Sequence, residues 1–183
     1  MNRVERHIVV KSKVLDDLAL KSKNLYNKAN YQIRQRFINS SKLMNQGLLD
    51  CAEWLRYDEL DKLCKINKWS EYEALPAQTA QQILKLLDKN WVSFFKAIKV
   101  WNKSKDKFTG RPKLPGYIRN NKNIVIFTNQ QVRIRNGFII FPQKANLNPI
   151  KTKVTNICQV RIIPRYTCYI IEIVYEKDKR FNE

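Results

Sequence analysis

Histidine occurs once, at His7, and glycine only four times in the whole chain. With so few of either, no glycine-rich phosphate loop, nucleophile elbow or histidine-centred acid–base constellation is present. The four cysteines (Cys51, Cys64, Cys158 and Cys168) are scattered, with no C-x-x-C pair among them. A structural zinc needs clustered Cys or His ligands. The cysteines therefore read as buried free thiols of a reducing compartment, and no metal or other cofactor is expected. No apolar run reaches bilayer-spanning length. Met1 to Lys11 also lacks the charged, apolar and small-residue order of a secretory signal. The expectation is a soluble, cytoplasmic protein with no membrane partner.

Acidic residues are the other shortage. The chain carries 35 Lys plus Arg against 16 Asp plus Glu, a net charge of +19. Such a charge meets polyanions or repels itself, so phosphate backbones are the default partners. Charge alone leaves a basic ribosomal or membrane-surface protein as alternatives. Its distribution says more. From Pro76 through Ile171 there are 18 basic residues and only two acidic ones, Asp88 and Asp106, so +16 of the +19 sits in about half the chain. The hydrophobic content of 44%, rich in aromatics, marks a folding sequence rather than a disordered basic tail.

Periodicity divides the chain. Val4 to Val10 is short and β-branched and predicts a strand. From Val14 to Phe37, Leu15, Leu18, Leu25, Ala29, Ile33 and Phe37 recur at helical spacing, with Asp16 and Asp17 in the first turn. Ser40 to Gly47 reads as a polar break, and Tyr57 to Asn67 as a second, weaker helix. Leu75-Pro76 opens the strongest helix, whose stripe Ala80, Ile83, Leu84, Leu87, Trp91, Phe94, Phe95, Ile98 and Trp101 reads as core between helices. That helix is expected to end near Ser104. After Pro115 the pattern alternates. Strands are predicted at Ile124–Thr128, Val132–Arg135, Phe138–Phe141, Gln159–Ile163 and Tyr169–Tyr175. Asn136-Gly137 forms a two-residue hairpin turn between the second and third of these. The order predicts an α+β fold, a small oligonucleotide-binding-like β-barrel with an inserted helical bundle. Residues 1–12 supply the first barrel strand, 13–108 the inserted helices and 109–183 the rest of the barrel.

Arg133 and Arg135 alternate with Val132 and Ile134, so both arginines leave one face of a strand, and that face cannot be core. A basic outer face on a small barrel is a nucleic-acid platform; the alternative is an edge strand protected by charge. The candidate RNA-binding residues are Arg111, Lys113, Lys122, Arg133, Arg135 and Arg161. Catalysis finds no support. A two-metal nuclease needs converging carboxylates. Here Asp16 and Asp17 point different ways, Glu71 and Glu73 fall in a loop, and Asp58, Glu59 and Asp61 read as a capping cluster. Glu172, Glu176 and Asp178 read as a solvated strand end. The expectation is a chain that is not an enzyme.

Several short motifs follow one another in a particular order: Leu25-Tyr26-Asn27, Gln35, Pro76-Ala77-Gln78-Thr79-Ala80-Gln81-Gln82, Ser93-Phe94-Phe95 and Gly110-Arg111-Pro112-Lys113-Leu114-Pro115. In that order and spacing the chain resembles, over essentially its whole length, the N-terminal half of TnpB proteins. These are prokaryotic RNA-guided nucleases of insertion sequences, related to miniature type V CRISPR effectors. The resemblance implies a wedge β-barrel that holds a structured guide RNA, interrupted by a helical recognition domain that reads a short motif beside a duplex DNA target. It also implies a RuvC-containing chain as partner. The family's RuvC domain opens with an Asp-bearing strand close to where this sequence stops, so its catalytic carboxylates and zinc ribbon are not expected here. Carried onto this sequence, Gln78, Gln82 and Lys85 on the exposed side of the Pro76 helix become candidates for reading the DNA motif. The alternative is that the glutamines merely solvate a helix start. A self-standing RNA-binding regulator or a basic structural RNA-binding protein is the competing function.

Overall fold

A computed structural model describes residues 2–176. Nine-residue β1 (Asn2–Val10) leads into α1 (Lys13–Asn45), where Ser12 caps the helix by accepting the Leu15 N–H (3.3 Å). The expected break after Phe37 does not occur. Ser40 and Ser41 turn their hydroxyls back onto the Phe37 carbonyl (3.1 and 2.7 Å), so they do not compete with the helical backbone. The stop comes at Gly47, whose φ of 72° suits a residue without Cβ. There the N–H groups of Gly47 and Leu48 donate to the carbonyls of Met44 and Leu43 (3.0 and 2.9 Å), the paired bonds of a Schellman ending.

Three more helices follow: α2 (Tyr57–Ile66), the single turn α3 (Ser70–Glu73) and α4 (Ala77–Lys103). Glu71 and Glu73, expected in a loop, lie on α3. The stripe is core as far as Trp91; Phe94 and Phe95 pack half-buried against it, and Ile98 and Trp101 at its far end are only half-buried. Trp91 is fully buried and packs against Phe37, Trp54, Phe94 and Phe95 at centroid distances of 5.7–6.1 Å. Cys64 is also buried there, and burial pushes its thiol up to about 12, which leaves it unreactive. The expectation of buried thiols fails at Cys51, which is exposed.

The remaining strands are β2 (Val125–Thr128), β3 (Arg133–Arg135), β4 (Phe138–Ile140), β5 (Ile150–Lys151), β6 (Ile157–Pro164) and β7 (Cys168–Glu176). Asn136 and Gly137 both take positive φ (51° and 74°), as the hairpin between β3 and β4 requires. The fold is α+β with antiparallel sheets. Its strands divide into two sheets, β1-β7-β6-β2 and β3-β4-β5, and so do not close into the single barrel expected. The division lies between β2 and β3. At that point Gln131 folds back so that its Oε1 accepts the Thr128 N–H (3.2 Å) and the Thr79 hydroxyl (3.3 Å). α4 packs against β2, while β3 and β5, at three and two residues, are too short to extend the ladder. The sheets meet through Phe127 and Phe141, whose rings lie 5.2 Å apart. β1, which precedes the helices, pairs along its whole length with β7. Asp178 lies outside the described residues.

The helices are tied to the sheets by a polar ladder on α1. Between Gly110 and Ile124 the chain has no regular structure and would leave its backbone groups unpaired against the helix. α1 supplies the partners. Fully buried Asn30 donates to the carbonyls of Pro115 and Gly116 (3.0 and 3.1 Å) and accepts the Trp91 indole N–H (3.0 Å). Asn27 pairs with both the N–H and the carbonyl of Ile118 (2.8 and 2.9 Å). Arg34 donates to Pro115, and buried Ser22 donates to the Ile124 carbonyl (2.6 Å). These residues lie along one side of the helix, given its 3.6-residue turn. Replacing Asn30 by Ala strands two polar groups, the Gly116 carbonyl and the Trp91 indole N–H, while Pro115 keeps its bond from Arg34, and is expected to cost about 2–4 kcal/mol. Urea unfolding followed by tryptophan fluorescence measures it, and a loss under about 0.5 kcal/mol, the range of an ordinary surface substitution, would contradict the ladder's role.

Candidate nucleic-acid interface

Ion pairing separates the two halves of the chain. Before Pro76 the helices are nearly balanced in sign, with 11 basic and 9 acidic residues between Lys13 and Leu75. Lys21 pairs with Asp17, Lys28 with Glu71, Arg36 with Glu53, Arg56 with Asp88 and Lys65 with Asp61. Of the 18 basic residues between Pro76 and Ile171, only Lys122 and Arg161 meet a carboxylate, leaving 16 without an ion pair among the described residues. Their field is uncompensated where they are held together.

The ladder fixes one group of them. Arg111, Lys113 and Arg119 project from the segment it holds, all three exposed. Arg111 and Lys105 both lie over the Trp101 ring, at 5.6 and 5.0 Å, and Arg34 lies over Tyr117 at 5.1 Å. A second group stands on the small sheet. Arg135 pairs in register with Phe138, Phe138 with Lys151, and Arg133 with Ile140, so these five side chains share one face. The arginines, Lys151 and Phe138 on that face are exposed. An exposed aromatic ring between a guanidinium and an ammonium offers a surface for a base with cations at phosphate reach. The other parity behaves unevenly: Ile139 is fully buried, but its cross-strand partner Ile134 remains 37% exposed.

Arg161 does not join either group. Its Nη2 donates to Glu172 Oε2 (2.8 Å), and Arg6 Nε donates to the other oxygen (2.8 Å). Glu172 is therefore no solvated strand end: it is only 6% exposed, a carboxylate held under two arginines at the centre of the large sheet. Lys122 is half-buried. It donates to Asp16 (2.5 Å), which also accepts the Tyr169 hydroxyl (2.7 Å). Hydrogen bonds from Lys122 and Tyr169, with Lys11 near, hold the Asp16 carboxyl below the ordinary range.

The three candidates for DNA-motif reading are split. Gln78 is committed to structure: its amide donates to Gln130 Oε1 (3.1 Å) and its carbonyl oxygen accepts the Thr128 hydroxyl, strapping the start of α4 to the end of β2. A base edge would have to displace both bonds. Gln82 and Lys85 do lie together, in an open groove of about 390 Å³ with Arg56, Asp58 and Asp88, and Lys85 stands over the Tyr57 ring at 5.0 Å. With two carboxylates in its lining, that groove is mixed in sign. No family model and no curated protein matches the sequence. Among the described residues no three His, Cys, Asp or Glu side chains gather as a metal site, and no helix is long and apolar enough to cross a membrane.

Periodicity missed the residues that only pairing or packing brings together: Phe138 and Lys151 on the small sheet, and Asn30 and Arg34 on α1. Polar Asn30 and Asn27 within the otherwise apolar stripe of α1 were the available signal. Reversing the charge of Arg133 and Arg135 together is expected to leave stability within about 0.5 kcal/mol while weakening binding to a structured RNA. Glu172→Ala should instead cost about 3 kcal/mol, because it leaves Arg161 against the sheet without its counter-charge. Thermal melts beside RNA titrations on the same variants separate the two roles. Unfolding of the Arg133/Arg135 variant would make those arginines structural.

Proposed function

We propose that this chain is an RNA-binding protein whose two cationic surfaces grip a structured RNA. The observation that carries the reading is the segregation of charge, with 16 cations that have no ion pair among the described residues gathered in the half of the chain that forms α4, the linker and most of the strands. Charge protection of sheet edges explains Arg133 and Arg135 on β3 and Lys151 on β5, the two edges of the small sheet, but not the exposed Arg111, Lys113 and Arg119, which stand on a segment that belongs to no strand. Phosphates satisfy such an array without any particular sequence, whereas the exposed rings among the cations suit unpaired bases.

On this reading the two packed sheets serve as an open form of the oligonucleotide-binding-like wedge, with the helical block as a recognition module set between its first strand and the rest. The chain then acts as the nucleic-acid-binding half of a TnpB-like system. It holds a guide-type RNA and presents Gln82 and Lys85 toward duplex DNA, while cleavage belongs to a RuvC-type nuclease domain. Sequence specificity in such a system comes from base pairing by the RNA.

Affinity for a structured RNA is expected to fall steeply with salt. For about six phosphate contacts to single-stranded segments, log K drops by about 4 per decade of salt. A slope near zero in a salt titration contradicts the basic-surface reading. The purified chain is also expected to leave RNA and DNA uncut in Mg²⁺ or Mn²⁺. An EDTA-sensitive cleavage product that persists through further purification would overturn that part of the proposal.

A further inference from the structure

A third cationic feature lies where the hairpin between β6 and β7 approaches the end of β1. The turn carries Arg165 and Tyr166, and together with Lys11, Arg119 and Lys122 they line an open cleft of about 760 Å³. Four of its lining residues are cations and none is a carboxylate. Asp16 bonds Lys122 but does not line the cleft. Asn120 and Asn121 add amide groups, and Pro164 an apolar edge.

Tyr166 is the most exposed large hydrophobic residue described, at 93%, and Lys11 lies over its ring at 5.8 Å. No packing requirement accounts for a ring so placed. The turn itself is closed by its backbone, the Arg165 N–H donating to the Cys168 carbonyl (2.9 Å), and needs no aromatic side chain. Nor is the cleft loosely built. Lys122 is fixed by Asp16, which is fixed in turn by Tyr169, and Asn123, the residue after Lys122, donates through its backbone N–H to the Ala19 carbonyl (3.0 Å).

We infer that this cleft takes one unpaired nucleotide of a bound RNA, its base stacked on Tyr166 and its phosphates held among Lys11, Arg119 and Arg165. The chemistry follows from the lining. Cations at several points of a concave wall match a phosphodiester on each side of one sugar, and the asparagine amides offer donors and acceptors to a base edge. The size excludes a helix and suits a splayed nucleotide, since small-ligand clefts run from about 300 to 1,000 Å³. A base inside a duplex is stacked on its neighbours and cannot reach the ring, so the cleft selects single-stranded positions. This deepens the RNA-binding reading above and rests on it.

The test compares the full chain on two fluorescent RNAs, a blunt two-strand duplex and the same duplex with a four-nucleotide single-stranded tail, by anisotropy at fixed salt. The intact protein is expected to prefer the tailed RNA by about 5-fold or more, the scale of one base stacked on an aromatic ring. Tyr166→Ala should abolish the preference while leaving blunt-duplex affinity within about 2-fold, since one exposed ring adds nothing to phosphate binding. Tyr166→Phe should retain it. Exposure of the side chain makes misfolding of either variant an unsuitable explanation, and a thermal melt checks this. A preference that survives Tyr166→Ala, or its absence from the intact protein, overturns the inference and leaves the general reading standing. Failure to bind either RNA overturns both. A third arm carries a deoxyribonucleotide tail, and preference for that tail over the ribonucleotide one overturns the assignment to RNA.

Discussion

The hydrogen bonds that α1 makes to the irregular segment before β2 are the constraint on which the rest of the structure depends. The stretch from Gly110 to Ile124, without secondary structure and packed against a helix, has no internal way to satisfy its backbone. Asn27, Asn30, Arg34 and Ser22 supply that satisfaction from the side of the helix. The buried bond from Trp91 to Asn30 brings α4 into the same network, so one amide links two helices and the segment they enclose. Such a network is costly to leave half satisfied, which makes the position of the segment nearly all-or-none. Arg111, Lys113 and Arg119 occupy fixed places because the backbone that carries them is fixed.

Placement matters because the charges are repulsive. Exposed lysines on flexible segments separate from one another and are screened beyond about 8–10 Å at ordinary salt. Cations mounted on β3, β5 and the tethered segment cannot separate. Their mutual repulsion persists until an anion relieves it, and that is the physical basis for favouring a polyanionic partner over a merely soluble surface. The helices before α4 supply the contrast within the same molecule. Some of their ion pairs lie within one helix, Lys21 to Asp17 and Lys65 to Asp61, others tie elements together, Lys28 to Glu71 on α3 and Arg56 to Asp88 on α4, and their basic and acidic residues nearly balance. Glu172 shows a third use of charge, with two arginines drawn onto a buried carboxylate across three adjacent strands.

Elements with a strong period were legible in the sequence. The Pro76 helix falls within a residue or so of its expected bounds, and Asn136-Gly137 turns as its composition demands. What periodicity could not reveal was pairing. Whether β2 continues into β3 through a ladder depends on where the Gln131 side chain goes, and no local pattern encodes that choice. The length of α1 was hidden for a similar reason: two serines read as a break until their hydroxyls are seen bonded to the preceding turn. At the candidate sites the same division holds. Parity alone places Arg133 and Arg135 on one face, but the ring of Phe138 joins them only through register. Gln78 has the composition of a base reader and the geometry of a strut. Arg161 counted as a free cation until its partner across the sheet was placed, and Tyr166 stood in a turn where no periodic pattern points to it.

Lysine acetylation footprinting, with and without a bound structured RNA and resolved residue by residue by mass spectrometry, tests the account most directly. It reads charge neutralisation where it occurs. The account predicts strong protection of Lys11, Lys113 and Lys151, from the hairpin-side cleft, the tethered segment and the small sheet. Lys42 and Lys62, exposed on α1 and α2, should stay as reactive as in the free protein. Protection spread evenly over all five, or confined to Lys42 and Lys62, would contradict the claim that the segregated charge of the second half forms the RNA-binding surface.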